Sequence, residues 1–155
     1  MKVWIVAAAL CAAGVSAALA ADTTAKSPQQ IVDEREAGMK KMGGAIKAAS
    51  DSMADPAAAK AKIAEAIAFA ETIPSHFPKG TGIGDPGVTK SRALQDIWTK
   101  PEEFKAAADA LVAALKAVDA ALDTGDQAKI GAAFKGIGKS CGGCHTPFRG
   151  PETDD

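Results

Sequence analysis

Tyrosine is missing from this chain altogether, histidine occurs only twice and cysteine three times. Basic runs are absent too, and 18 Lys and Arg face 19 Asp and Glu for a net charge of −1. That balance excludes the electrostatic footprint that nucleic acid or an anionic membrane surface requires. No convincing stretch alternates apolar and polar residues, which argues against a half-buried sheet. Past residue 21 no segment is long and apolar enough to cross a bilayer.

What is present begins with a leader. Lys2 supplies a short positive start, Val3 to Val15 is apolar apart from Gly14, and Ala18-Leu19-Ala20 offers the small-x-small pattern of a cleavage site. Residues 1–20 therefore read as a secretory signal and 21–155 as one mature domain. An uncleaved anchor is the alternative, since Val3 to Ala21 just reaches spanning length. Cleavage after Ala20 would remove Lys2 and leave 17 basic against 19 acidic residues, a net charge of −2.

It would also remove Cys11, so that Cys141 and Cys144 are the only thiols of the mature domain. In an oxidising compartment two thiols normally pair. Here only two residues separate them, and so small a loop is a poor entropic staple. Chemistry explains these cysteines better than stapling does.

The mature domain is rich in Ala, Lys, Glu and Leu and predicts four helices. The first starts at Ser27-Pro28-Gln29-Gln30, a cap, a first-turn proline and a capping-box glutamine, with Ile31, Met39, Met42, Ile46, Ala49 and Met53 on one face. The second runs from Pro56, capped by Asp55, to about Ile73, with Ile63, Ala66, Ile67 and Ala70 inward. A Gly- and Pro-rich link follows as far as Trp98, long enough to suggest a functional or mobile loop. Thr99-Lys100-Pro101-Glu102 opens the third helix, whose Phe104, Ala108, Leu111, Leu115, Val118 and Leu122 are spaced 4, 3, 4, 3, 4. Thr124 and Gln127 offer a box for the fourth, from about Asp126 to Phe148, where Ile130, Phe134, Ile137, Cys141, Cys144 and Phe148 repeat that spacing. Short links make neighbours antiparallel, so the expectation is an all-α, antiparallel four-helix bundle with cofactor space between facing helices. Gly131, Gly136 and Gly138 each cost about 1 kcal/mol against Ala within a helix. Close approach of a planar ligand or close helix packing would each explain them.

Cys141-Gly142-Gly143-Cys144-His145 is C-x-x-C-H, the attachment pattern of c-type haem. Two thiols three residues apart face one way on a helix, each able to add to one vinyl group, while the adjacent imidazole reaches the iron. The other readings fit less well. A zinc site wants four ligands, and only His76, far along the chain, could join these three. A thioredoxin-like pair wants a βαβ setting.

With C-x-x-C-H near the C-terminus, at the end of the last of four helices, the chain resembles the class II c-type cytochromes, the cytochrome c′ family. The resemblance spans about residues 27–150 and includes Phe148 and Arg149 after the haem motif, with Phe148 where the family often has Tyr. It implies one covalent haem c on Cys141 and Cys144, His145 as an iron ligand, and a propionate partner in Arg35. Arg149 is set against either a propionate or the C-terminal acids. It also places Met39, four residues after Arg35, above the open haem face. Arg35-Glu36-Ala37-Gly38-Met39-Lys40 is similar to the low-spin cytochrome c-556 type, in which that Met is the sixth ligand. By periodicity alone Met39 fits equally as core filler, like Met42 and Met53.

The resemblance thus implies a periplasmic electron carrier with His/Met ligation, transient redox partners and the family's homodimerisation through the first two helices. Its alternative is a high-spin, five-coordinate cytochrome c′ that binds small gases such as nitric oxide or carbon monoxide. An enzyme is not expected, since the first helix has no His to serve as a distal acid or base. His76 is expected in solvent, and Trp98 is expected to staple the start of the third helix.

Overall fold

A computed structural model describes residues 25–151. The expected leader, with the cleavage expected after Ala20, and the acids Glu152, Asp154 and Asp155 lie outside the described residues. Four long helices make the body: α1 (Pro28–Asp51), α2 (Pro56–Ala70), α4 (Pro101–Leu122) and α5 (Gln127–Phe148). Between α2 and α4 come a 3₁₀ turn (Ile73–His76) and the short α3 (Asp96–Thr99). Among the described residues there is no strand, only an isolated bridge between Ala93 and Arg149. The all-α bundle is the one expected.

The caps show why the helices begin where they do. Ser27 accepts from Gln30 N while the Gln30 side chain accepts from Ser27 N, the reciprocal box read from the sequence. Asp55 accepts from Ala58 N at the start of α2. Two expectations need correction. No side chain caps α4, because the Thr99 hydroxyl donates backwards to Gln95 O. Nor does Thr124 cap α5. The aspartate two positions on, Asp126, takes both Ala128 N and Lys129 N, and the Thr124 hydroxyl donates to Ala121 O. Asp126 stands at the N-cap position, where one carboxylate oxygen accepts both N–H groups, while the Thr124 hydroxyl is turned back to the end of α4.

Helix α2 ends at Ala70 rather than Ile73, because Pro74 lacks the N–H that would continue it, and the chain tightens into the 3₁₀ turn. All six α4 seam residues are buried. On α5 only Ile130, Ile137 and Phe148 are; Phe134, Cys141 and Cys144 are half-buried. The difference follows from the neighbours. Helix α4 lies against both α2 and α5, and α1 lies against α2, but α1 and α5 hardly touch. The side of α5 that faces α1 opens onto a cleft.

Candidate haem cleft

The cleft has a volume of about 570 Å³ and an apolar lining. One wall is α1, with Arg35, Met39, Met42 and Ile46; the other is α5, with Cys141, Cys144 and His145. Ala93, Ile97 and Phe104 close its back. A second groove of about 410 Å³ continues from it between Gly43 and Ile46 of α1 and Phe134, Gly138 and Cys141 of α5.

The α5 wall carries the donors. Cys141 and Cys144 are free thiols, half-buried, one helical turn apart on the same face. Burial pushes both thiols above their ordinary range; a backbone hydrogen bond partly offsets this at Cys141, and the neighbouring Cys141 adds to it at Cys144. Burial also lowers the His145 imidazole, helped by Arg149 and Arg92. Its favoured form is therefore neutral, with a lone pair available to a metal. Two thiols and a neutral imidazole on one wall of a largely apolar cleft of this size fit a covalently held macrocycle. Pro147, inside α5, removes the N–H that the Gly143 carbonyl would otherwise receive, and the helix ends one residue later.

Met39 is half-buried and lines this cleft, as does His145. Met42 also lines it but is buried in the core, and Met53 packs against that core at the far end of α1. Both behave as filler.

Arg35 is placed with a different set of contacts from the one foreseen. It is 4% exposed and holds the loop between the 3₁₀ turn and α3. One terminal nitrogen donates to Thr81 Oγ1 at 3.1 Å and His76 O at 3.4 Å. The other donates to Thr81 O at 3.1 Å and Ser91 Oγ at 3.2 Å. The guanidinium also lies over the Phe77 ring, 4.3 Å from its centroid. Burial lowers its pKa, with Glu36 pulling back upward. Four of its five N–H donors thus serve the loop, and Nε–H is the one that remains for a ligand in the cleft.

Three surface expectations change as well. His76 is half-buried, its ring stacked on Phe69 at 5.1 Å and bonded to Thr72 Oγ1 at 3.1 Å, because the 3₁₀ turn folds it back over α2. Trp98 packs against the core and holds the loop as well: its indole N–H donates to Phe77 O, and its ring fills the space beside Gly82. A Cβ at Gly131, Gly136 or Gly138 would meet nothing within 4 Å, so close helix packing does not explain these glycines. Arg149 is exposed on the cleft rim, where Arg92 donates to Gly150 O at 2.9 Å.

Sequence reasoning missed the loop's second and third anchors. Gln29 Oε1 accepts from Thr89 N and Lys90 N at 2.8 and 3.0 Å. At the other side Leu94 N donates to Phe148 O and Gly150 N to Arg92 O. The loop therefore ties α1 to the end of α5.

The family profile described as Cytochrome C′ matches residues 30–149. The chain is 39% identical to a cytochrome c′ of Pararhodospirillum photometricum over 127 residues, covering 79% of this chain and 98% of that protein. It is 36% identical to cytochrome c-556 of Agrobacterium fabrum over 123 residues, covering 76% and 80%. Among solved structures, a nitric oxide complex of a variant cytochrome c prime from Alcaligenes xylosoxidans superposes with a TM-score of 0.68 at 25% identity, over 81% of this chain and 98% of that one.

Proposed function

The chain belongs to the cytochrome c′ family of haem c proteins, which serve electron transfer or small-gas binding, and from that premise we propose that it is an exported one-haem electron carrier with His145 and Met39 as axial ligands. The cleft that Met39 of α1 and His145 of α5 line together carries this reading. The haem, when bound, supplies an iron that cycles between ferrous and ferric states. The protein supplies the rest. Cys141 and Cys144 hold the macrocycle by thioether bonds, and His145 donates its imidazole lone pair. The Met39 thioether is a soft ligand, and paired with His it raises the potential. Arg35 Nε–H from within the cleft wall and Arg149 from the rim would meet the propionates. The apolar back wall excludes water and limits reorganisation. We place the carrier in the periplasm, after cleavage at Ala20, where it meets transient redox partners through small interfaces.

The second reading is the five-coordinate one, with a gas on the face opposite His145. The name of the Pararhodospirillum relative and the nitric oxide complex of the Alcaligenes protein favour it. Absorption spectra of the full chain, exported with haem-maturation machinery, separate the two. His/Met ligation gives a low-spin spectrum with a weak sulfur-to-iron band at the red end, lost in Met39→Ala and little changed by carbon monoxide. A high-spin spectrum that carbon monoxide shifts at once replaces the electron-carrier reading with gas binding, and absence of covalent haem overturns both.

A further inference from the structure

One glycine does need its missing side chain. Gly38 immediately precedes Met39, and on an α-helix adjacent residues point about 100° apart. Met39 faces the cleft, while the Gly38 Cα faces α2 and the ring of Phe69. A Cβ built at Gly38 would stand inside contact distance of Phe69 Cε2 and Cζ and 3.2 Å from Cδ2. The ring is not free to swing away. His76 is stacked on it, 5.1 Å between centroids and 20° between planes. The His76 ring is held by Thr72 Oγ1, whose hydroxyl donates to Phe69 O at 2.8 Å. The His76 carbonyl receives Arg35, one turn before Met39 on α1. Phe69, Thr72, His76 and Arg35 thus form a braced set against which α1 rests at Gly38.

We propose that Gly38 and Phe69 are positioning residues for Met39: their close contact fixes the rotation and depth of α1 at the turn that presents the thioether to the cleft. This rests on Met39 as the iron ligand proposed above. Contact between α1 and α5 is sparse, so apart from the loop that ties the two helices little on the α5 side sets where Met39 stands. The contact with α2 does so from behind. A displacement of about 1 Å is enough to spoil a held geometry, and a Cβ at residue 38 forces the braced ring or α1 itself to shift.

The test uses the full chain loaded with haem, comparing wild type, Gly38→Ala, Phe69→Leu and Met39→Ala. Covalent haem content and far-ultraviolet circular dichroism establish that each has folded. The readouts are the sulfur-to-iron band and the carbon monoxide affinity. Gly38→Ala is expected to lose most of the band with its haem still attached. If the fraction of iron without Met39 rises about tenfold, the apparent carbon monoxide affinity rises about tenfold with it. Phe69→Leu, which keeps an apolar residue but removes the flat ring, is expected to weaken the band in the same direction. Folded Phe69→Leu with the wild-type band and carbon monoxide affinity overturns the positioning role, and does so even where Gly38→Ala fails to fold. Folded Gly38→Ala that behaves as wild type overturns it equally. A wild-type band that survives Met39→Ala, or a wild type with no such band, overturns the ligand assignment itself, and the positioning role falls with it.

Discussion

Arg35 shows how much one buried cation can organise. Its four donated hydrogen bonds reach three residues, His76, Thr81 and Ser91. Thr81 is itself 2% exposed and passes its hydroxyl proton on to Pro78 O. Replacing Arg35 by Leu removes all four bonds and leaves the buried Thr81 Oγ1 without its donor, although Thr81 O still accepts from Ser91 Oγ and Ser91 Oγ from Ala93 N, at a cost of about 3 kcal/mol in unfolding free energy. Guanidinium chloride titration of the haem-loaded protein measures it. Arg35→Lys is expected to recover only a minor part, because an ammonium on a flexible stem cannot fork to two sites at once. If Arg35→Leu unfolds at the wild-type midpoint, the side chain is not the loop's anchor. The position was legible in the sequence only through family likeness. Its loop contacts were not, because they join residues 41 to 56 positions apart and no local pattern announces such pairs. Cys141, Cys144 and His145 were legible as a unit because the chemistry requires them to be neighbours in sequence. Gly38 was not, since a lone glycine in a helix looks like any other until Phe69 is seen beside it.

At the scale of the element, helix existence followed from periodicity while helix ends did not follow from pattern alone. The α4 seam was read residue by residue and all six positions are buried. Leu115, fully buried there, is expected to cost about 2–5 kcal/mol on truncation to Ala. The start of α5 was misread because two capping residues stand within three positions and both patterns are valid locally. Asp126 wins by bonding two N–H groups. Thermal unfolding should separate them: Asp126→Ala lowers stability by about 1 kcal/mol, and Thr124→Ala by clearly less. Equal losses would mean that the two side chains cap α5 jointly. The alternating burial along α5 has the same lesson in reverse. A 4, 3, 4, 3, 4 spacing marks an inward face, but it cannot say whether that face meets another helix or a space left for a cofactor.

For the whole molecule, the near absence of contact between α1 and α5 makes the bundle an incomplete core. A ligand that binds only the folded state adds its binding free energy to stability, and here it also fills the gap between two helices. Cys141→Ser with Cys144→Ser, which cannot retain haem covalently, is expected to keep helical far-ultraviolet dichroism but to lose near-ultraviolet signal and bind a hydrophobic dye. A sharp, dye-free unfolding transition in that variant would show that the cleft is self-supporting. The loop between the 3₁₀ turn and α3 adds a different constraint. It is fastened to α1 through Gln29 and Arg35 and to the end of α5 through Arg92, Leu94 and Gly150, while its Gly84–Gly87 tip is mostly exposed and turns through two positive-φ glycines. The span between fastenings therefore works as a tie of fixed length between the two walls of the cleft. Extra residues spliced into the tip should bulge harmlessly outward, whereas one residue added or deleted between Ser91 and Leu94 would change the tie itself and with it how far the two walls stand apart.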